Sequence, residues 1–203
     1  RECEEASNMA LLLLNAFPRF ASVRMQAMST VSVPPPLSLS PVQHSTDRNL
    51  DPGAVFAVSG SSRGIGLEFC KALLARSKGR ILAMSRNPES SDALTALATQ
   101  HPGRVLRIPV DVTDEASLAR AGETAAKAVD HIDMLVNCAG ILHENGRMPE
   151  RSLAACNAEW MQRVYAVNAM GPVLLTSALQ PLITAGQAKD SRTRVVANLS
   201  ARV

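Results

Sequence analysis

From residue 55 onward the chain alternates short apolar runs with amphipathic stretches. Val55-Phe56-Ala57-Val58 is apolar and rich in strand formers, and glycines at positions 60, 64 and 66 come directly after it. Leu67, Phe69, Leu73 and Leu74 then recur at helical spacing. Residues 80–85 read as a second buried strand. Leu94 and Leu97, among small residues, mark a helix over 91–100 that His101-Pro102-Gly103 stops. Residues 105–110 form a third strand, closed by Asp111-Val112-Thr113. Asp114 and Glu115 suit the first turn of the following helix, whose buried face is Leu118, Ala121, Ala125 and Val129. Residues 132–136 are a fourth strand and end in Asn137-Cys138-Ala139-Gly140. Trp160, Val164, Val167, Leu174, Ala178 and Leu182 place an apolar stripe on one long helix, and residues 194–199 supply a fifth strand. Short strands separated by single helices predict an α/β fold: a doubly wound parallel sheet with right-handed crossovers and helices on both faces.

Composition narrows the function classes. At 203 residues the chain is long enough for one domain with a sizeable core. A net charge of +3 with 3% aromatics and no basic block does not point to nucleic acid. Cys3, Cys70, Cys138 and Cys156 show no Cys-x-x-Cys spacing, which favours a reducing compartment. His44, His101, His131 and His143 are scattered, so no metal site is expected. No apolar run approaches membrane-spanning length, and no membrane partner is expected.

Residues 1–51 differ from the rest. Position 1 is arginine, and Met9 is a plausible initiator. No acidic residue occurs between Met9 and Thr46, while Arg19, Arg24, serines and small apolar residues recur before Pro34-Pro35-Pro36. Two readings fit: a mitochondrial or plastid transit peptide, or a disordered tail without an address, which leaves the protein cytoplasmic. A secretory signal fits less well, because the apolar core Leu11 to Leu14 is short and Asn15 breaks it. The folded domain is expected from Pro52, giving a leader over 1–51 and an incomplete dinucleotide-binding domain over 52–203.

The turn Ser59-Gly60-Ser61-Ser62-Arg63-Gly64-Ile65-Gly66 has the spacing Gly-x-x-x-Gly-x-Gly. Glycines there let the backbone take positive φ and approach a pyrophosphate, and the following helix offers unpaired N–H groups to an anion. Taken alone, the same turn also serves as a tight strand-to-helix connection. No Gly-Lys-Ser/Thr follows, so it is not a P-loop. Many nicotinamide-binding folds end the second strand with a carboxylate for the adenosine ribose; here Ser85 and Arg86 stand instead. A guanidinium at Arg86, helped by Arg63, can pair with a 2′-phosphate, which favours NADP(H) over NAD(H). Solvated arginines are the alternative. Asp111 at the third strand's end either accepts from an adenine amine or organises its own turn. The glycine loop, Asp111 and Asn137 all fall at carboxyl ends of strands, where such sheets bind ligands.

Together these motifs resemble the classical short-chain dehydrogenase/reductase family over residues 53–203. Ser85-Arg86-Asn87-Pro88 and Asn198-Leu199-Ser200-Ala201-Arg202-Val203 look most like its carbonyl-reductase or C-factor-like branch. The resemblance implies a single-domain Rossmann fold that transfers hydride between NADPH and a small-molecule carbonyl or alcohol, and a homo-oligomer in the full-length form. It implies that Gly60, Ser61, Ser62, Arg63, Gly64, Ile65 and Gly66 hold the pyrophosphate and that Asp111 and Val112 hold the adenine. Asn137, Ala139 and Gly140 would support the central sheet and cofactor. Catalysis in the family uses Asn, Ser, Tyr and Lys; Asn168 and Ser200 match the first two.

Asn168 also has a local physical reason. Pro172 lacks an N–H and crowds the carbonyl four residues back, which is that of Asn168, so this acceptor is freed with a kink. The family uses such a carbonyl to hold a relay water. Water-satisfied backbone at a simple proline kink is the alternative. The family's Tyr-x-x-x-Lys is not among the 203 residues; Tyr165 is followed four positions on by Ala169. Ser200 precedes Ala201 where the family commonly has Ser-Ser and uses the second, so Ser200 is one candidate and a serine past Val203 the other. These features are expected of a fragment of a longer product, poorly soluble and inactive alone. A non-catalytic dinucleotide-binding module and a nonfunctional truncated product are the competing readings. Residues 141–153 border the expected cleft, but His143, Glu144, Asn145 and Arg147 select no substrate.

Overall fold

The computed structural model describes residues 41–142, 150, 152–185 and 193–200. Five parallel strands lie in the order β3-β2-β1-β4-β5: β1 is Val55–Ser59, β2 Arg80–Ser85, β3 Val105–Pro109, β4 Met134–Asn137 and β5 Val195–Asn198. The helices are α1 (Pro41–Leu50), α2 (Gly64–Arg76), α3 (Asp92–Gln100), α4 (Glu115–Ala128), α5 (Ala158–Tyr165) and α6 (Gly171–Ala185), with a π turn over Ala166–Met170 joining the last two. This is the doubly wound sheet expected from the alternating pattern.

Layering follows from alternation within strands that are apolar throughout. Every residue of β1 is buried. Val55 and Ala57 face one side with Leu82, Met84 and Leu135, against Leu118 and Ala125 of α4 and Leu175 and Leu179 of α6. Phe56 and Val58 face the other with Ile81, Ala83 and Val136, against Phe69 and Leu73 of α2 and Leu94 and Leu97 of α3. Covering both faces is why the inner strands read as continuous apolar runs. Each fully buried Phe or Leu contributes roughly 1.5–3 kcal/mol relative to exposure. The outer strands β3 and β5 are only partly buried. Pro109 closes β3 at the sheet edge, where its missing N–H removes no bond to a further strand.

Three expectations are corrected. Ordered structure begins before Pro52: α1 lies in the stretch read as leader, Arg48 Nη2 donates to the Thr193 carbonyl at 3.0 Å, and Asn49 O accepts from Lys78 N–H at 3.0 Å. Residues 1–40 lie outside the described residues. The apolar stripe of the long helix is rotated after Val167: the buried positions are Val167, Gly171, Leu175, Leu179 and Ile183, with Leu174, Ala178 and Leu182 at the margin. The π turn adds a residue to one turn and shifts the phase of everything after it. That same helix, counted over Ala158–Ala185, is long and apolar enough by length and composition to cross a membrane, contrary to the reading of apolar runs. Here its inner face packs on α4, where Gly122 abuts the Ala178 carbonyl.

At the amino ends of β1, β4 and β5 sits Asp133, fully buried (0% exposed). Its Oδ2 accepts from Val55 N–H at 2.8 Å and lies 3.1 Å from His131 Nε2; its Oδ1 meets Arg194 Nη1, a side chain 2% exposed, at 3.0 Å. One carboxylate thus ties three strands in order β1-β4-β5. Removing it takes the carboxylate from the buried Arg194 guanidinium and the acceptor from Val55 N–H, so Asp133→Ala is expected to lower stability by about 3–5 kcal/mol in urea unfolding. A loss below about 1 kcal/mol, the range of exposed pairs, would contradict this account.

Candidate functional site

The loop between β1 and α2 is shaped by its glycines. Gly60 has φ +68°, and a Cβ there would stand 2.8 Å from the backbone nitrogen of Ala139. A Cβ on Gly66 would overlap the Gly60 carbonyl oxygen. Gly64 differs: its φ is +55°, and a Cβ would meet nothing within 4 Å. Gly66 therefore closes the turn upon itself, Gly60 admits the backbone of Ala139, and Gly64 faces open space.

That open space lies at the amino end of α2. Side chains cap three other helices: Ser91 accepts from Leu94 N–H, Asp114 from Ala116 N–H and Asn157 from Trp160 N–H. The N-cap of α2 is Arg63, which makes no side-chain cap, and no acidic residue lies in its first turn. The first amides of α2 and the positive end of its dipole are left for an anion. Arg63 and Arg86 are both exposed around this end of the sheet. Ser62 is fixed by its carbonyl, which accepts from Ser91 Oγ at 2.7 Å. Ser61 faces inward: its N–H and Oγ both donate to the Met84 carbonyl, at 3.1 and 3.0 Å. Both polar groups expected to serve a ligand are thus spent on the sheet. Ile65 packs at the margin of the α2 core.

The loop after β4 is locked to this one. Ser59 Oγ accepts from both Cys138 N–H and Ala139 N–H at 3.1 Å. Asn137, buried, donates through Nδ2 to Asn198 Oδ1 at 2.8 Å and Thr176 Oγ1 at 3.3 Å, while Thr176 donates to the Pro172 carbonyl at 2.6 Å. Asn137 and Asn198 are register partners, so the amide pair joins the carboxyl ends of β4 and β5. Gly140 leaves room for Asn168, whose Oδ1 would lie 3.4 Å from a Cβ there. Asn168 Oδ1 accepts from Ile141 N–H at 2.8 Å and its Nδ2 donates to the Ile141 carbonyl at 2.7 Å, a two-point clamp. The side chain of Asn168 thus holds the β4 loop. Its own carbonyl lies in the π turn, where Gly171 N–H bonds back to the Ala166 carbonyl and Pro172 has no N–H to give.

Asp111 is partly buried after β3. Thr113 donates to its Oδ1 twice, through N–H at 2.9 Å and Oγ1 at 2.7 Å, and Asp111 N–H donates to Ser117 Oγ. Burial alone would raise this carboxyl, but the Thr113 hydroxyl and amide, with Arg163 and Arg86 nearby, hold it below its ordinary value. Val112 is buried against Gly171. Cys138 sits inside the recognised motif, yet burial pushes its thiol up to about 12, and burial raises Cys70 further. Neither is a thiolate nucleophile at neutral pH. Ser200 is exposed beyond β5. Residues 143–149 and 201–203, with the substrate-side residues His143, Glu144, Asn145 and Arg147, lie outside the described residues.

The strand ends thus gather the glycine loop, Arg86, Asp111, Asn137 and Asn168 on one side of the sheet. Sequence reading passed over Ser59, Thr113, Arg163 and Thr176, which hold those groups in place. Ser59 carried one signal: it is a hydroxyl ending an otherwise apolar strand.

The profile of the short chain dehydrogenase family matches residues 54–201. The chain belongs to that family. Among curated relatives of this short chain dehydrogenase, an uncharacterized oxidoreductase of Schizosaccharomyces pombe is 34% identical over 130 residues, 64% of this chain and 49% of that protein. A short chain dehydrogenase of Aspergillus terreus is 34% identical over 145 residues, 71% of this chain and 30% of that protein. Among solved structures, the NADPH-bound carbonyl reductase from chicken fatty liver superposes with a TM-score of 0.64 at 29% identity, covering 72% of this chain and 56% of that one. A Pseudomonas aeruginosa carbonyl reductase in complex with NADP gives 0.61 at 29% identity, covering 73% and 61%. The chain spans about half or less of the length of these curated relatives.

Two outcomes are expected from this geometry. Gly66→Ala drives a methyl into backbone and lowers stability by about 3 kcal/mol, whereas Gly64→Ala costs only the roughly 1–2 kcal/mol of left-handed strain. Denaturation midpoints that rank the two variants the other way would overturn the assignment of Gly64 to open space. Asp111, depressed in the fold, adds stability above its unfolded value near 3.9, and this is lost as pH falls through the lower folded value. Asp111→Asn should therefore flatten the acid limb of a stability–pH profile; parallel limbs for variant and wild type would speak against it.

Proposed function

We propose that this short chain dehydrogenase carries the cofactor-binding part of an NADPH-dependent oxidoreductase that interconverts a carbonyl and an alcohol. One observation carries the reading: the uncapped amino end of α2, with Gly64 opening onto free space, fits a pyrophosphate. No carboxylate ends β2, and the exposed guanidinium groups of Arg86 and Arg63 are the cations that would pair with a 2′-phosphate in this reading. The NADPH and NADP bound in the chicken and Pseudomonas carbonyl reductases support the same choice.

In this reading the amides of residues 64–66 hold the pyrophosphate, and Asp111 accepts from the adenine amine. The bound nicotinamide supplies or accepts the hydride. Ser59 and the Asn168 clamp keep the loop after β4 in register, and the Asn168 carbonyl, which can take no bond from Pro172, would accept from a water. Ser200 is the candidate to orient the substrate oxygen. Because Tyr-x-x-x-Lys is not among the 203 residues, this chain by itself is expected to bind cofactor without turnover.

Fluorescence titration with NADPH and NADH tests the proposal. NADPH should bind at least about tenfold more tightly, and Arg86→Ala should remove most of that difference while leaving NADH unchanged. Equal affinity for both dinucleotides sinks the NADP preference, and failure to bind either sinks the cofactor site.

A further inference from the structure

The loop after β3 is fastened from outside the sheet. Arg163, on α5, donates from Nη1 to Thr113 Oγ1 at 3.3 Å. Thr113 spends its hydroxyl proton on Asp111 Oδ1 at 2.7 Å and its amide on the same oxygen at 2.9 Å. A hydroxyl has one proton and two lone pairs, so it can donate to Asp111 and accept from Arg163 at once. The three side chains form a one-way relay from guanidinium to carboxylate. Its effect is asymmetric: Oδ1 is doubly occupied, and Oδ2 has no hydrogen-bond partner among the described residues. Next to it, Val112 is pressed on Gly171, so α5 and α6 hold this loop at two points.

We propose that Arg163 is a positioning residue for the adenine end of the cofactor cleft, acting through Thr113 to aim the free oxygen of Asp111 at the adenine amine. This rests on the NADPH-binding reading above. The charged groups facing Asp111 are Arg86, from the loop after β2, and Arg163, from α5. Asp114, its neighbour in the turn, is turned to the start of α4, capping Ala116 N–H and lying 3.7 Å from Arg120.

The test measures binding of NADPH and of adenosine 2′,5′-bisphosphate to the chain and to Arg163→Met, Arg163→Lys, Thr113→Val and the Arg163→Met/Thr113→Val pair. Loss of one hydrogen bond in the relay should weaken both ligands by about fivefold in Arg163→Met. Thr113→Val should do at least as much, and the double variant should be no weaker than Thr113→Val alone, since one relay is being cut twice. Arg163→Lys should retain part of the affinity. In Arg163→Met the Asp111 carboxyl, followed by carbon-13 resonance against pH, should titrate at higher pH than in the parent. Unchanged affinity in Arg163→Met, or losses that add in the double variant, would overturn the role of Arg163. If the parent chain binds neither ligand, the cofactor reading itself fails and this inference with it. If Arg163→Met does not fold, Thr113→Val with Arg163→Lys decides: full affinity in Thr113→Val is the overturning result.

Discussion

The approach of two loops at Gly60 and Ala139 is the contact on which the remainder depends. Ser59 Oγ receives two amides from the loop after β4, and Gly60 must lack a Cβ for that loop to come so near. With those amides satisfied, the carboxyl ends of β1 and β4 are drawn together, and the glycine loop has a floor. Gly66 then folds back on the Gly60 carbonyl, which starts α2 at the angle that leaves its first amides uncapped. What is missing, a side chain at Gly64 and a cap at Arg63, leaves this helix end open, and what is packed beneath holds it in place.

The long helix plays a second organising part. Arg163 reaches the loop after β3, Asn168 clamps the loop after β4, Gly171 backs Val112, and Thr176 touches Asn137. Four positions on one rod reach two strand ends. Its π turn brings these residues to bear on the sheet, and the turn falls where Pro172 cannot complete the ordinary ladder. At the far end of the strands Asp133 performs a purely structural task, tying β1, β4 and β5 where no ligand is needed.

Much of the fold was legible in sequence because its signals are local. The inner strands are buried on both faces, so they read as unbroken apolar runs, and β2 was bounded correctly at Arg80 and Ser85. The helix read over 91–100 from Leu94 and Leu97 runs from Asp92 to Gln100, with Ser91 as its cap and Gly103, at φ +76°, beyond its end. Glycine spacing pointed to a phosphate-type turn because positive φ at Gly60 and Gly64 and the fold-back of Gly66 on the Gly60 carbonyl are settled within a few residues, although the close approach of Ala139 to Gly60 is not. Asn168 was singled out by the family resemblance, and Pro172, which acts on the carbonyl four positions back, gave it a local reason as well. The family profile across 54–201 agrees with that motif set.

What sequence by itself determined is therefore the order of elements, the parallel doubly wound sheet and the place of the glycine turn, all of which depend on short-range pattern and chain sterics. Tertiary structure alone decided which polar groups are spent and which are available. Ser61 and Ser62 look alike in sequence, yet one has both its polar groups on the Met84 carbonyl while the other offers its carbonyl to Ser91. The buried face of the long helix turned by a residue because a π turn alters phase without altering composition. Arg163 and Asp133 drew no attention because their partners lie 50 and 78 residues away. Hydrogen bonds of that span form only after the sheet has brought the strand ends together, and a linear pattern carries no trace of them.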